Sequence, residues 1–238
     1  RAMLSFLFPA VCPLCQTELL DKNEKVCKAC AKKDIFLHEP TCYSCGKPLD
    51  HAEKEYCADC RKRPKNWVRN IGLCTYEEPV KSSLLSIKYH NKREYIQYYL
   101  YETERRKGKW LKQIHPDLVI PVPMYWRKQR KRGFNQAELL AKGIAKMIGC
   151  PSSHKIIRRV HDTKPLKTMD PGQRKKNLSH AFIGDSEAYR KAGSPKRALI
   201  VDDIYTTGAT MQGVSGALSN LGVKEIYGYC IAVGKGFS

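Results

Sequence analysis

The sequence has no long hydrophobic run. Its opening apolar segment, Met3–Val11, is nine residues long, whereas a helix that crosses a membrane needs about 20 apolar residues. The sequence therefore predicts that the chain does not span a membrane, and we expect this short segment to pack against the rest of the protein.

Acidic residues are also scarce. The 238 residues include 23 Asp and Glu against 43 Lys and Arg, which gives a formal net charge of +20. Residues 1–70 hold 13 basic and 9 acidic residues, whereas the remainder holds 30 and 14. A pocket for one phosphorylated sugar does not need such an excess, but a surface that follows a nucleic-acid backbone does. The competing interpretation is a generally solvated basic surface.

Large apolar side chains are few in the first 70 residues, and a segment without a core commonly needs metal to fold. The same region contains four Cys-x-x-Cys pairs that repeat with a period of 30, with eleven residues between the two pairs of each repeat. This spacing favours two tetrahedral zinc sites of four cysteines each. The expected ligands are Cys12, Cys15, Cys27, Cys30, Cys42, Cys45, Cys57 and Cys60.

The sequence leaves the pairing of these ligands open. Two zinc ribbons in tandem are the simpler arrangement, but a cross-braced arrangement uses the same cysteines. Disulfides are the competing chemistry. The chain shows no typical secretory signal and its other motifs are typical of a cytoplasmic enzyme, where thiols stay reduced, so we expect zinc. Cys74, Cys150 and Cys230 lie outside the pattern and are expected to pack as small apolar side chains.

One segment joins an apolar strand, an acidic pair and a loop of small hydroxyl residues. Residues 198–210 read Ala-Leu-Ile-Val-Asp-Asp-Ile-Tyr-Thr-Thr-Gly-Ala-Thr. The apolar run predicts a buried strand of a parallel sheet, with Asp202 and Asp203 at its carboxyl end, where such sheets bind ligands. Thr206–Thr210 is expected to turn into a helix, with N–H groups and hydroxyls directed at an anion. The competing interpretation is an ordinary capped helix after a strand.

The remaining chain predicts an α/β fold, because strand patterns alternate with helix patterns. A basic, proline-broken segment at 61–70 suggests domains at residues 1–66 and 67–238. The expected strands are 71–76, 118–122, 155–160, 198–204 and 225–233. The expected helices follow Pro79, cover 93–112, begin at the N-cap Asn135 and follow the 206–210 loop.

Residues 198–210 resemble, at all thirteen positions, the phosphoribosyl pyrophosphate (PRPP) signature of the type I phosphoribosyltransferases. The resemblance implies a parallel-sheet α/β domain of that type. The cysteine spacing adds a small tandem zinc-ribbon domain before it, with four cysteines to each ion. The resemblance also implies that Asp202 and Asp203 accept hydrogen bonds from the ribose hydroxyls. If PRPP reacts, negative charge grows on the leaving pyrophosphate, and we expect Mg²⁺ bound with PRPP to neutralise it. The residues implied at the 5′-phosphate are Thr206, Thr207, Gly208, Ala209 and Thr210.

A basic run follows the strand at 118–122, with five cations among residues 127–132. In phosphoribosyltransferases the loop at this point holds pyrophosphate, so the implied candidates are Val122, Pro123, Met124 and Arg127. Tyr125, Trp126 and Phe134 stand beside the cations and slightly favour single-stranded nucleic acid, because bases stack on aromatic rings. The competing interpretation is that these aromatic side chains belong to the core. The nucleic-acid candidates are Arg127, Lys128, Arg130, Lys131 and Arg132.

Several motifs together resemble the ComF/ComFC competence proteins and their relative GntX. Besides the cysteine pairs they are Ile87-Lys-Tyr89, Arg132-Gly-Phe-Asn-Gln136, Arg174-x-x-Asn177 and Ala181-Phe182, and the resemblance covers about residues 12–233. It implies a cytoplasmic factor for DNA uptake that binds PRPP, contacts single-stranded DNA and docks on a ComFA-type ATPase. The Thr-x-x-Gln usual in the family is replaced by Thr163-Lys-Pro-Leu166.

Two other functions would use the same residues: a nucleobase or nucleotide-salvage phosphoribosyltransferase, and a regulator that senses PRPP. No sequence feature identifies an acceptor base, so the pattern does not decide whether the chain catalyses a reaction. Lys164, Lys167 and Arg174 lie in a polar stretch that we expect to close over the site as a lid.

Overall fold

The computed structural model describes residues 10–19, 21, 23–161 and 181–234. Most of the apolar opening segment lies outside the described residues. So do the lid candidates Lys164, Lys167 and Arg174, the Thr163–Leu166 segment and the motif residue Asn177. Within the described residues, no helix combines the length and the apolarity needed to cross a membrane.

The described residues form six strands, four of which make one parallel sheet. The strands are β1 (Arg69–Thr75), β2 (Leu118–Pro121), β3 (Ile157–Arg159), β4 (Phe182–Gly184), β5 (Arg197–Tyr205) and β6 (Glu225–Val233). Across the sheet the order is β1, β6, β5, β2, with every neighbouring pair parallel. The inner residues of these strands are buried on both faces, which explains their nearly continuous apolar sequences. The predicted parallel-sheet α/β core is confirmed.

The apolar side chains form two clusters, one on each face of this sheet. The described helices are α1 (Lys28–Ala31), α2 (Ala58–Lys62), α3 (Val80–Tyr89), α4 (Tyr95–Gln113), α5 (Trp126–Arg132), α6 (Gln136–Ile148), α7 (Ser186–Lys191) and α8 (Ala209–Leu221). Alternate residues of β5 point to opposite faces: Leu199 and Val201 pack with α3, α4 and α6, whereas Ala198 and Ile200 pack with α8.

The strand expected at 155–160 does not join the parallel sheet. Its centre, β3, pairs antiparallel with β4 in a separate two-stranded sheet. Strands of three residues are too short to show a period of two, so their partner could not be read from the sequence. The sequence did not predict helix α5 either. None of its residues is buried, so its sequence has no apolar stripe with the period of a helix. The N-cap at Asn135 is confirmed, since its side chain accepts from the Ala137 N–H at 3.1 Å.

Short extended segments lie along both edges of the parallel sheet. Residues 35–37 run beside β1, where the Leu37 N–H donates to the Leu73 carbonyl at 3.0 Å and the Thr75 N–H donates to Ile35 at 3.1 Å. On the other edge, the Val119 N–H donates to Pro151 at 2.9 Å. The edge strands are therefore hydrogen-bonded on both sides.

The cysteine-rich part shares its apolar contacts with the sheet. Leu14 and Ile35 belong to one buried cluster, while Cys45 and Trp67 belong to the other. The Asn70 amide of β1 also donates to the Cys45 carbonyl at 2.9 Å. The N-terminal part therefore packs on the core of the protein, and the boundary between residues 66 and 67 stays a prediction.

Candidate functional site

The acidic pair lies near the carboxyl end of β5. The four residues before it, 198–201, are fully buried and fix the position of the strand in the sheet. Asp203 is only 6% exposed, whereas Asp202 is half-buried. A buried carboxylate is costly unless it is paired or hydrogen-bonded, so the partners of Asp203 are informative.

Asp203 is held by two side chains from other elements. The Lys88 Nζ lies 2.8 Å from Asp203 Oδ2, and Gln136 Nε2 donates to the same oxygen at 3.0 Å. Lys88 comes from the last turn of α3, and Gln136 is the first residue of α6. Both belong to motifs visible in the sequence, but their meeting at Asp203 depends on the tertiary fold and no role was expected for either.

The pKa values of Asp202 and Lys88 are shifted by their surroundings. Burial, together with the negative charge of Asp203, raises the pKa of Asp202 to about 8. Burial alone would lower the pKa of Lys88, but the carboxylates of Asp203 and Asp202 outweigh it and raise that pKa. Near neutral pH, Lys88 is therefore charged. The raised pKa of Asp202 favours its protonated form, which can donate as well as accept a hydrogen bond.

The loop after β5 makes a tight turn into α8. Thr206 and Thr207 are exposed, and Gly208, the N-cap of the helix, has φ +78°. That conformation is strained for other residues, and a Cβ at Gly208 would also collide with the Tyr205 hydroxyl. The glycine thus keeps the loop backbone close to the end of β5, and it places the N-terminus of α8 there, an end of a helix that favours negative charge.

These elements enclose a cleft of about 330 Å³, which we call the sheet-end cleft. Its lining residues are Tyr76, Lys88, Val122, Pro123, Met124, Asn135, Gln136, Ala137, Arg159, Asp202, Asp203, Ile204, Thr206 and Thr210. The structure therefore brings the acidic pair, two threonines of the loop and the candidate pyrophosphate loop to one place. Thr207, Gly208 and Ala209 lie in the same turn without lining the cleft, and Arg127 is outside it.

The basic run forms helix α5, which we call the basic helix. Arg127, Lys128, Arg130 and Lys131 are exposed on it, while Arg132 is half-buried. Trp126 is 55% exposed, and the Arg127 guanidinium carbon lies 5.2 Å from its ring centroid. Phe134, by contrast, is buried and belongs to the core. Of the aromatic residues expected here, Trp126 is the one on the surface.

The eight paired cysteines form two groups of four. In each group the sulfur atoms lie within 4.8 Å of one another, and the groups are Cys12, Cys15, Cys27, Cys30 and Cys42, Cys45, Cys57, Cys60. The pairing is therefore sequential and not cross-braced. Sγ–Sγ distances of 3.6 Å for Cys15 and Cys27, and 3.7 Å for Cys45 and Cys57, fit an ion bound tetrahedrally at about 2.3 Å from each sulfur. Both sites fit structural zinc.

Known proteins resemble this chain in its cysteine-rich region and over most of its length. A family model described as a double zinc ribbon domain matches residues 3–61. The chain is 32% identical over 181 residues to competence protein F of Haemophilus influenzae, covering 72% of this chain and 76% of that protein. The chain belongs to the ComF family.

Other relatives extend over similar lengths. The DNA utilization protein YhgH of Salmonella typhimurium is 28% identical, covering 74% of this chain and 76% of that one. Competence protein ComFC of Bacillus subtilis is 27% identical over 219 residues, covering 84% and 85%. Among solved structures, a purine phosphoribosyltransferase from Pyrococcus horikoshii matches with a TM-score of 0.36 and 22% identity, covering 58% of this chain and 73% of that one.

Proposed function

We propose that the protein is a cytoplasmic factor for DNA uptake in natural transformation, which binds PRPP in the sheet-end cleft and contacts single-stranded DNA through the basic helix. A ComFA-type ATPase is its proposed partner. The observation that carries the proposal is that the acidic pair, the threonine loop and residues 122–124 line one cleft. The relatives are named as competence and DNA utilization proteins, which supports the cellular role.

The proposed pose of PRPP follows from the chemistry around the cleft. The 5′-phosphate accepts hydrogen bonds from Thr206, Thr210 and the N-terminal N–H groups of α8. The ribose hydroxyls bind the acidic pair, and the protonated state of Asp202 allows a mixed pattern of donors and acceptors. Pyrophosphate lies against residues 122–124. Mg²⁺ bound with the ligand would neutralise part of the pyrophosphate charge.

Single-stranded DNA is the proposed ligand of the basic helix because charge and stacking occur together there. The cations of α5 can neutralise phosphates, and the exposed Trp126 offers a ring face on which a base can stack. Helix α5 directly follows the candidate pyrophosphate loop in the chain, so the two proposed ligands bind close to each other.

The PRPP proposal is tested by calorimetry with Mg²⁺-PRPP. Replacing both Asp202 and Asp203 with alanine removes the proposed ribose contacts and should abolish measurable binding. The matched control is Asp50→Ala with Glu53→Ala, two exposed acids of the second ribbon, which should bind as the wild type does. Equal affinity in a folded Asp202→Ala/Asp203→Ala variant would remove the cleft from consideration.

Turnover separates the proposed role from the salvage alternative. The wild-type protein is incubated with PRPP and a panel of nucleobases, and released pyrophosphate is measured. Base-dependent release would favour a salvage phosphoribosyltransferase, whereas binding without release favours a ligand-binding module. Binding of PRPP without any effect on DNA affinity or transformation would favour the sensing regulator.

A further inference from the structure

One carboxylate oxygen of Asp203 already has both of its partners. Lys88 and Gln136 both approach Oδ2, at 2.8 and 3.0 Å, and a carboxylate oxygen offers about two lone-pair directions. The second oxygen, Oδ1, is contacted by neither of these hydrogen bonds. Lys88 and Gln136 therefore fix one oxygen of Asp203 at the cleft, and the side chain of Asp202 is hydrogen-bonded to the same carboxyl group.

The amide of Gln136 is itself held from the other side. An Arg132 Nη1 donates to Gln136 Oε1 at 2.6 Å. Arginine has donors only, so Arg132 requires the oxygen of the amide, and this directs the Nε2 donor of Gln136 towards Asp203. If the amide turned over, its oxygen would face the carboxylate and its nitrogen would face the guanidinium, and both contacts would become repulsive.

The backbone supports this chain of hydrogen bonds. Gly133, with φ +81°, ends α5 in the left-handed conformation, and Asn135 caps α6 while its own amide donates to the Val122 carbonyl at 3.0 Å. Arg132 and Gln136 thus face each other across a fixed turn. The Arg132 guanidinium also lies 5.5 Å from the ring centroid of Tyr89, the residue after Lys88.

We propose that Arg132, Gln136 and Lys88 form a clamp that positions Asp203 for the ribose hydroxyls, so that Arg132 serves the sheet-end cleft and not the nucleic-acid surface. This rests on the proposed function of the cleft. Arg132 and Gln136 are positioning residues: they orient the carboxylate through one another. The cations of the basic run then have two roles. Arg132 belongs to the clamp, whereas Arg130 and Lys131 are exposed, have no hydrogen bond or ion pair within the described residues, and are left for nucleic acid.

The test compares neighbouring cations in two binding assays. Arg132→Met keeps the apolar stem and removes the donors, and it should lower Mg²⁺-PRPP affinity about five- to tenfold without changing the salt slope of single-stranded DNA binding. Lys131→Met should leave the Mg²⁺-PRPP affinity unchanged. It should reduce the salt slope of single-stranded DNA binding by roughly 0.7, the value for one phosphate contact. Lys146→Met, an exposed cation at the other end of α6, is the neutral control.

Two further variants separate positioning from general damage. Arg132→Lys restores one donor and should recover part of the PRPP affinity. Gln136→Met should weaken PRPP binding at least as much as Arg132→Met does. The double variant should bind PRPP no more weakly than Gln136→Met alone, because both changes remove the hydrogen bonding from Arg132 through Gln136 to Asp203. Additive losses, unchanged PRPP affinity in Arg132→Met, or a salt slope reduced as in Lys131→Met would each overturn the clamp.

The clamp has a readout that does not need PRPP. The Gln136 side-chain amide signal in a ¹⁵N NMR spectrum is assigned by its loss in Gln136→Met. Arg132→Met should shift that signal, and an unchanged signal would refute the clamp. If the wild type binds no PRPP, the proposed function fails, while the shift still shows whether Arg132 orients Gln136 towards Asp203.

Discussion

Two neighbouring acids at the end of β5 differ in their burial and in their partners. Asp203 is almost fully buried and is paired with Lys88, whereas the half-buried Asp202 has a pKa of about 8 because burial and Asp203 both disfavour its charge. The sequence places the two residues in equivalent positions after an apolar strand. Only the tertiary contacts make one of them a held carboxylate and the other a group that titrates near neutral pH.

This difference predicts a pH-dependent effect on stability. The unfolded chain releases the Asp202 proton near pH 4, but the folded chain keeps it until about pH 8, so the contribution of this residue to stability falls as pH rises between those values. Asp202→Asn should therefore become more stable relative to the wild type, by at least about 1 kcal/mol, between pH 5 and pH 8. Urea unfolding of both proteins at pH 5 and pH 8 measures this change, with Asp50→Asn as the control. The same difference in unfolding free energy at both pH values would contradict the prediction.

Residue patterns with local causes could be read from the sequence. The acidic pair follows its strand directly, and the Cys-x-x-Cys spacing reflects two ligands on one turn, so both were visible without a fold. The contacts of Lys88 and Gln136 with Asp203 were not, because they join three elements that are far apart in the chain.

At the scale of elements, the turn from β5 into α8 depends on one glycine. Gly208→Ala should cost more than about 1 kcal/mol of unfolding free energy and weaken PRPP, because the new Cβ meets the Tyr205 hydroxyl in a strained backbone conformation. Gly193 provides a matched control: its φ is +83°, but a Cβ there meets nothing within 4 Å. The difference in denaturant midpoint between the two variants isolates the steric part, and equal losses would show that backbone conformation alone matters.

The basic helix is the element whose role depends most on charge. Reversing Arg130 and Lys131 to glutamate should weaken single-stranded DNA binding for all sequences and flatten its dependence on salt, since fewer counterions are released. Affinity is measured by fluorescence anisotropy at several salt concentrations. Lys142→Glu with Lys146→Glu, on exposed positions of α6, carries the same change in net charge. If both double variants weaken DNA binding equally, the excess charge acts as a diffuse field and not as a binding site.

Over the whole molecule, the zinc ribbons are part of the core. Leu14 and Ile35 pack into the same cluster as Val201 of β5, and Trp67 donates from its indole to the Ser44 carbonyl at 2.8 Å in the second ribbon. The sequence predicted the two four-cysteine sites from spacing alone. It did not predict that they pack on opposite faces of the sheet edge, because that arrangement depends on contacts with β1.

Removing zinc should therefore affect the entire chain. Metal analysis should give two zinc equivalents in the wild type and one in Cys45→Ser, with a lower melting temperature for the whole protein, since metal binding contributes directly to folding. Cys150→Ser, outside both four-cysteine groups, should keep both ions. A Cys45→Ser variant that loses one ion but keeps the wild-type melting temperature would show that the second ribbon does not stabilise the sheet.

The segments along β1 and β2 restrict how any partner can associate. Strand addition, in which a partner extends a sheet through backbone hydrogen bonds, needs an open edge. Here residues 35–37 and the Pro151 region already satisfy the edge strands, so the parallel sheet offers no template for another chain, neither a specific partner nor an aggregating copy. Among the described residues, a partner that binds by strand addition would therefore have to pair with the separate β3–β4 sheet. Any other recognition depends on side chains of the helices, the ribbons or the loops, and its affinity should be sensitive to surface substitutions.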